Sequence, residues 1–192
     1  MQVYNDSRPA SGAEHLLSHV WEMEHLSSKG IPVSHGFKVS MGTVITTSLM
    51  EAFYSLPLAE ISVEACRVRR ESWEERRASV AKWFPDPKIR EVVIKVCEGK
   101  WISEDQWENR IKRLGQILPE LRAFTMEKLG SSGQVKAKLQ TAGCPVSPEV
   151  YGLDREAIKN TVIKAQMIRK RYTILDIMYE TGLLKLILDR LF

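Results

Sequence analysis

Apolar residues recur at helical spacing along most of the 192-residue chain. Segment 88–98 shows the pattern most clearly, because its apolar positions follow one another at i, i+3, i+4 and i+7, as on one face of an α-helix. These positions are Ile89, Val92, Val93 and Val96. We therefore predict an amphipathic helix over 88–98, closed by Gly99.

Capping and turn signals divide the rest of the chain into further helices. The first is predicted to begin at Ser11 or Gly12 and to stop before the Ser27–Gly30 turn. Ser103 and Gln106 form a capping-box pattern that opens a long helix, in which Pro119 is expected to cause a kink or a break. The predicted helices cover 12–26, 36–57, 62–84, 88–98, 103–129 and 154–168, with two more within 173–192.

Segment 36–57 also has a strand alternative, because it contains many Thr and Val residues. About 20 residues without a turn signal favour a buried helix over a strand. The chain shows no internal repeat and no series of strands. We therefore predict a single all-α domain over 1–192, built as a bundle of about eight helices.

The composition is that of a soluble globular protein, with 44% hydrophobic and 27% charged residues. No apolar run approaches the roughly 18 residues that a membrane span requires. The polar N-terminus is not expected to act as a signal peptide. Cys66, Cys97 and Cys144 form no CxxC pair, so reduced thiols and a cytoplasmic location are expected.

Basic and acidic residues are interleaved, although the net charge is +4. The stretch RVRRESWEERR pairs each basic cluster with nearby Glu, which favours a solvated helix face over a phosphate-binding patch. IRKRY, at 168–172, is the one purer basic cluster. It leaves open an alternative function as a helical subunit or as an interaction or nucleic-acid-binding module without catalysis, although the charge pattern does not favour nucleic acid.

All four histidines lie within the first 35 residues. His15 and His19 are four residues apart on the first predicted helix, so their rings project from one face and could converge on a metal ion. This is not the HExxH motif of metalloproteases, because Glu14 precedes the first His instead of following it. His25 points away from that face and is predicted to be a surface residue.

His35 immediately precedes Gly36 at the start of the second helix, within possible reach of His15 and His19. A pair of histidines at i, i+4 is, however, more often unrelated surface or core residues than a pair of ligands. The spacing alone leaves both interpretations open.

Three motifs carry a resemblance to a known family: RPASGAEHLLSHVWEM, SHGFKVSMGT and IRKRYTILDIMYETGLL. Together they resemble the C-terminal half of sn-glycerol-1-phosphate dehydrogenases, over residues 6–184. These enzymes form a superfamily with glycerol dehydrogenases, iron-containing alcohol dehydrogenases and dehydroquinate synthases. Phe37 stands where glycerol dehydrogenases usually have the Glu of HGEK, which favours the glycerol-phosphate branch.

The resemblance implies an all-helical, metal-binding domain like the C-terminal domain of the dehydroquinate synthase-like superfamily. On the matching positions, His15 and His35 would be ligands of a divalent metal (zinc, nickel or iron), and His19 would be a catalytic proton relay. The implied reaction interconverts dihydroxyacetone phosphate and sn-glycerol 1-phosphate in glycerophospholipid metabolism. Lys38 is a candidate for binding the substrate phosphate, and Arg8 is a weaker one.

Two features of that family have no counterpart in this sequence. The third metal ligand is an Asp well upstream of the first His, and only 14 residues precede His15 here. The glycine-rich motif that binds NAD or NADP is also missing. We therefore expect the chain to be inactive alone, to work with a Rossmann-like domain in cis or in trans, and to form a homo-oligomer.

Overall fold

The computed structural model describes residues 12–192, which form an all-α fold with one two-stranded hairpin. The helices are α1 (Ala13–Met23), α2 (His35–Tyr54), α3 (Val63–Arg69), α4 (Trp73–Trp83), α5 (Pro87–Glu98), α6 (Glu104–Leu129), α7 (Ser132–Thr141), α8 (Arg155–Met167), α9 (Ile174–Glu180) and α10 (Leu184–Leu191). The antiparallel strands β1 (Ser27–Ser28) and β2 (Ile31–Pro32) join α1 to α2, and 3₁₀ helices occupy Leu58–Ile61 and Pro148–Tyr151. The predicted all-α class is confirmed.

The segment predicted as one helix over 62–84 is divided into α3 and α4. Arg70, at the end of α3, has extended backbone angles, and Ser72 begins α4 with a capping box. In that box the Ser72 hydroxyl accepts from the Glu75 amide, and the Glu75 carboxylate accepts from the Ser72 amide. These bonds satisfy backbone groups at a helix start, so they favour a break at Ser72 over a continuous helix.

Two other helix boundaries differ from those predicted. Pro119 does not divide α6, which continues without a break from Glu104 to Leu129. The sequence predicts no helix between 129 and 154, yet Ser131 is the N-cap of the additional helix α7 and forms a capping box with Gln134.

The core is centred on the packing of α1 against α2. Met41, Ile45, Leu49 and Phe53 form an i, i+4 stripe along α2, and none is more than 3% exposed. This stripe meets Leu16, Leu17, Val20 and Trp21 of α1 in one hydrophobic cluster. The helix prediction for this segment is confirmed, because His35–Tyr54 form one continuous α-helix with this stripe buried along it.

Helix α8 packs on α1 and leads into the loop that carries IRKRY. The Trp21 indole N–H donates to the Thr161 hydroxyl at 3.0 Å, which fixes α8 against α1. In the last turn of α8, Gln166 donates to the Asp176 carboxylate at 2.9 Å, and the Lys100 ammonium donates to the same carboxylate at 2.8 Å. These buried bonds hold the two ends of the IRKRY loop to the body of the fold.

No helix among residues 12–192 is long and apolar enough to cross a membrane. Cys66, Cys97 and Cys144 are free thiols, as the sequence predicts.

Candidate metal centre and substrate cleft

Helix α1 brings His15 and His19 together on one face, as the i, i+4 spacing predicts. Their ring centroids are 4.8 Å apart. The opposite face of the helix is fixed in the core by Leu17 and Trp21, both fully buried. The orientation of α1 is therefore set by apolar packing, and the two imidazoles are left on its polar side.

A tight connection brings His35 back to the same place. The chain leaves α1 through His25, whose φ of 53° is left-handed, and turns through the β1–β2 hairpin. Ser34 then caps α2 by accepting a hydrogen bond from the Phe37 amide, so that His35 is the first residue of the helix. The His35 ring centroid lies 4.7 Å from that of His15 and 6.2 Å from that of His19.

Close contact between α1 and α2 depends on Gly42. A Cβ atom at Gly42 would lie 2.6 Å from the backbone oxygen of Glu14, well inside van der Waals contact. Only glycine lets the two backbones approach this closely. Because Glu14 directly precedes His15, the absence of a side chain at Gly42 helps to set the distance between the helices that carry His15 and His35.

The carboxylate of Glu22 links the histidines of the two helices. It lies 3.0 Å from Nδ1 of His19, 2.6 Å from Nδ1 of His35 and 3.6 Å from Nζ of Lys38. The hydrogen bond from His35 is the main reason why the pKa of Glu22 falls to about 2. An ionised carboxylate can only accept, so both rings donate through Nδ1 and, when neutral, each has a lone pair on Nε2.

The environment of His15 also favours a neutral imidazole. Burial is the main cause that lowers its pKa, and His19, His35 and Arg171 lower it further, while Glu14 acts in the opposite direction. Metal ions bind the neutral form of imidazole, so the lowered pKa increases the fraction of His15 that is ready to coordinate.

Four residues are candidates for the site from the sequence: His15, His19, His35 and Lys38. The structure brings the three histidines together and buries Lys38 next to them. His15, His19 and His35 form one cluster, and Lys38 is buried against Glu22, with 8% of its side chain exposed. His25 is exposed, as predicted. Arg8 and Ser11 lie outside the described residues.

Sequence reasoning missed Glu22. The available signal was its position on α1, because Glu22 follows His19 by three residues and therefore shares its helix face. Its bond to His35 depends on how the hairpin returns the chain, and no helical periodicity contains that information.

The donor chemistry of the cluster fits a divalent metal, although residues 12–192 contain no group of three or more His, Cys, Asp or Glu side chains arranged to hold one. Two imidazoles that share a tetrahedral zinc, at N–Zn distances of about 2.0–2.1 Å, place their ring centres about 5 Å apart. The 4.7 Å between His15 and His35 is close to that value. A carboxylate bound to Nδ1 is also the usual support of a metal-binding histidine, and Glu22 supports His35 in this way.

His15 and His19 line a cleft of about 860 Å³, within the size range of small-molecule sites, and His35 lies beside them outside its lining. Helices α1, α2 and α6 and the IRKRY loop contribute its walls. Its lining consists of Gly12, Ala13, Glu14, His15, Leu16, His19, Thr46, Met50, Leu129, Arg169, Lys170, Arg171, Tyr172, Thr173 and Ile174.

The RVRR cluster, by contrast, is neutralised by carboxylates. Arg67 and Arg70 pair with Glu104, Arg67 also contacts Glu108, and Arg69 pairs with Glu60. This agrees with the interleaved charge pattern of the sequence.

Similarity to known proteins follows the same motifs. A protein named glycerol-1-phosphate dehydrogenase (NAD(P)+) from Geobacillus stearothermophilus is 28% identical to this chain over an alignment that covers 94% of it. A protein of the same name from Bacillus licheniformis is 27% identical over 96% of the chain. A protein of the same name from Halalkalibacterium halodurans is 49% identical over 49 residues, which are 26% of this chain and 12% of that protein. The chain is similar to glycerol-1-phosphate dehydrogenases. The resemblance indicated by the motifs is therefore confirmed.

This similarity covers only part of each relative. The aligned region is 35% of the Geobacillus stearothermophilus protein and 32% of the Bacillus licheniformis protein, so the chain spans about a third of the length of the curated relatives it matches. No family model and no solved structure matches the chain.

Proposed function

We propose that this chain is the metal- and substrate-binding part of an NAD(P)-dependent glycerol-1-phosphate dehydrogenase, which interconverts dihydroxyacetone phosphate and sn-glycerol 1-phosphate. The observation that carries the proposal is the convergence of His15, His19 and His35 beside Glu22 at the edge of an open cleft. The names of the similar proteins support the reaction class.

His15 and His35 are the proposed metal ligands. Both would coordinate in the neutral form. The lowered pKa of His15 favours that form, and Nε2 of His35 is available because Nδ1 of the same ring is bound to Glu22. A divalent ion held there, zinc, nickel or iron, would supply Lewis-acid polarisation of the substrate's ketone oxygen. A third protein ligand would come from outside residues 12–192.

His19 is the proposed proton relay. It lines the cleft, its side chain is 31% exposed, and its ring is held through Nδ1 by Glu22. This leaves Nε2 able to release a proton to the substrate oxygen during reduction and to take it back during oxidation. An imidazole is suited to this role because its pKa lies near neutral pH.

The cofactor contacts are proposed to lie in a Rossmann-like domain, in cis or in trans. NAD(P) appears in the names of the similar proteins, and the chain itself has no glycine-rich nucleotide motif. We therefore propose that this chain does not catalyse the reaction alone. Robust NAD(P)H-linked reduction of dihydroxyacetone phosphate by the pure 192-residue chain would contradict this part of the proposal.

The experiment that tests the metal centre is a Zn²⁺ and Ni²⁺ titration of the purified chain and of four single His→Ala variants. Loss of His15 or His35 should weaken metal binding by about 100-fold or more, because each removes a ligand. His19→Ala should change it far less, and His25→Ala is the matched control on an exposed histidine. If none of the four changes affinity, the metal centre is wrong and a helical interaction module becomes the better interpretation.

A further inference from the structure

The basic segment IRKRY forms one wall of the histidine cleft. Arg169, Lys170 and Arg171 all line it, in the loop between α8 and α9. Among the described residues of the lining, Glu14 supplies the one carboxylate, and its Oε1 already accepts a hydrogen bond from the Gly12 amide. Basic side chains therefore outnumber carboxylates among the described lining residues beside His15 and His19, which favours an anionic ligand.

The two arginines are better placed than the lysine to bind that ligand. Arg169 is exposed and forms no ion pair with any residue in 12–192. Arg171 is half-buried and lines the cleft together with His15 and His19. The Lys170 side chain instead packs over Gly99. A Cβ atom placed on Gly99 would lie 3.3 Å from the Nζ atom of Lys170.

Hydrogen bonds of the residues that flank the loop hold it in place. The Thr173 amide donates to the Asp176 carboxylate at 2.7 Å, and this carboxylate, 2% exposed, also accepts from Gln166 and Lys100. Because these bonds already restrict the ends of the loop, Arg169 and Arg171 lose less conformational freedom when a ligand binds.

Thr46 adds an uncommitted hydroxyl to the cleft. It is 7% exposed and lines the same space, and its Oγ1 has no hydrogen-bond partner among residues 12–192. The neighbouring Thr43 and Thr47 hydroxyls both bond to backbone carbonyls four residues earlier. A buried polar atom without a partner is uncommon in a folded protein and is often satisfied by a ligand.

We propose that the Arg169–Arg171 loop binds a phosphate group in this cleft, with the two guanidinium groups as its charged partners and the Thr46 hydroxyl lining the same site. Arginine suits this role because its planar fork of N–H donors matches the oxygens of a phosphate. The proposal rests on the proposed function for the source of the phosphate, which is either the triose phosphate or the dinucleotide. The earlier candidate, Lys38, contacts Glu22 and is not part of the cleft lining.

Calorimetric titration of the purified chain tests the site with inorganic phosphate, sn-glycerol 1-phosphate and glycerol. Both phosphates should bind, and glycerol should not. Arg169→Gln and Arg171→Gln should each weaken phosphate binding by about tenfold or more, as expected for the loss of a charge-assisted hydrogen bond. Arg77→Gln, at an exposed arginine of α4 outside the cleft, is the matched control. Circular dichroism verifies that each variant is folded.

A second series with NADP+ identifies the source of the phosphate. If the arginine variants weaken sn-glycerol 1-phosphate binding and leave NADP+ binding unchanged, the site serves the substrate. If they weaken NADP+ binding instead, it serves the cofactor.

The proposal is overturned if the chain binds no phosphate at millimolar concentration, or if both arginine variants bind it as tightly as the wild type. The metal titration of the histidine variants remains a separate test. Phosphate binding that depends on the arginines, without metal binding that depends on His15, would refute the metal centre and leave the phosphate site intact.

Discussion

Two polar clusters of this molecule differ in how their charges are matched. Around Asp176, the buried carboxylate accepts hydrogen bonds from Lys100, Gln166 and the backbone and hydroxyl of Thr173. Around Glu22, one half-exposed carboxylate is shared by His19, His35 and Lys38.

The difference separates a structural cluster from the cluster that we propose to be functional. The Asp176 cluster has its polar groups bonded to one another, so its bonds stabilise the fold. In the histidine cluster, the Nδ1 atoms of His19 and His35 are bound to Glu22, while the Nε2 atoms keep their coordinating capacity. Nitrogen atoms that are not already hydrogen-bonded within the cluster are the ones available to a metal or a substrate.

The largest effect is expected at Asp176. Asp176→Asn keeps the shape of the side chain and leaves the buried Lys100 ammonium without its counter-charge, so it should lower the free energy of unfolding by about 3–5 kcal/mol. Urea denaturation measures this change. Asp189→Asn is the matched control, because Asp189 forms an exposed pair with Lys159 and should contribute only about 0–1 kcal/mol. Equal effects at the two positions would show that the Asp176 cluster is not a structural centre.

Gly42 tests whether the separation of α1 and α2 sets the histidine geometry. Gly42→Ala places a methyl group against the Glu14 backbone oxygen, so we expect a loss of about 1–3 kcal/mol of stability together with weaker Zn²⁺ binding. Gly36→Ala is the control on the same helix, because a Cβ atom at Gly36 meets no atom within 4 Å. Unchanged zinc affinity in folded Gly42→Ala would show that the metal centre does not depend on this helix contact.

Glu22 tests the supporting role of a carboxylate behind the ligands. Glu22→Gln keeps the size of the side chain but removes the charge that accepts from His19 and His35, so Zn²⁺ affinity should fall by about 10–100-fold. The free energy of unfolding should change much less, because Glu22 is half-exposed. Glu24→Gln provides the matched control, since Glu24 pairs with Lys164 and not with a histidine. Equal zinc affinity in wild type and Glu22→Gln would rule out this supporting role.

Periodicity and capping patterns predicted the parts of the fold that depend on local sequence. The α2 stripe and the i, i+4 placement of His15 and His19 belong to this class, because helical geometry alone fixes them. The break at Ser72 was equally local, and its S-x-x-E pattern was present in the sequence but was outweighed by the continuous polar stretch.

The parts that sequence reasoning missed depend on long-range packing. Glu22 meets His35 only after the β1–β2 hairpin has reversed the chain, and the IRKRY loop reaches the histidine cleft only because α8 packs on α1. The family resemblance supplied the pairing of His15 with His35, but it gave no role to Glu22 or to the basic loop.

The smallest effect is expected at His25, the histidine outside the cluster. Its φ of 53° is a left-handed conformation that glycine adopts more easily, and the Leu26 amide next to it bonds to the Trp21 carbonyl as at the end of a Schellman motif. His25→Gly should therefore raise the free energy of unfolding by about 0.5–1 kcal/mol, whereas His25→Ala should not. Neither variant should alter Zn²⁺ affinity, since His25 is an exposed residue of the turn between α1 and α2 and is not one of the proposed metal ligands. A fall in zinc affinity in His25→Gly, at unchanged or higher stability, would instead place the fourth histidine in the site.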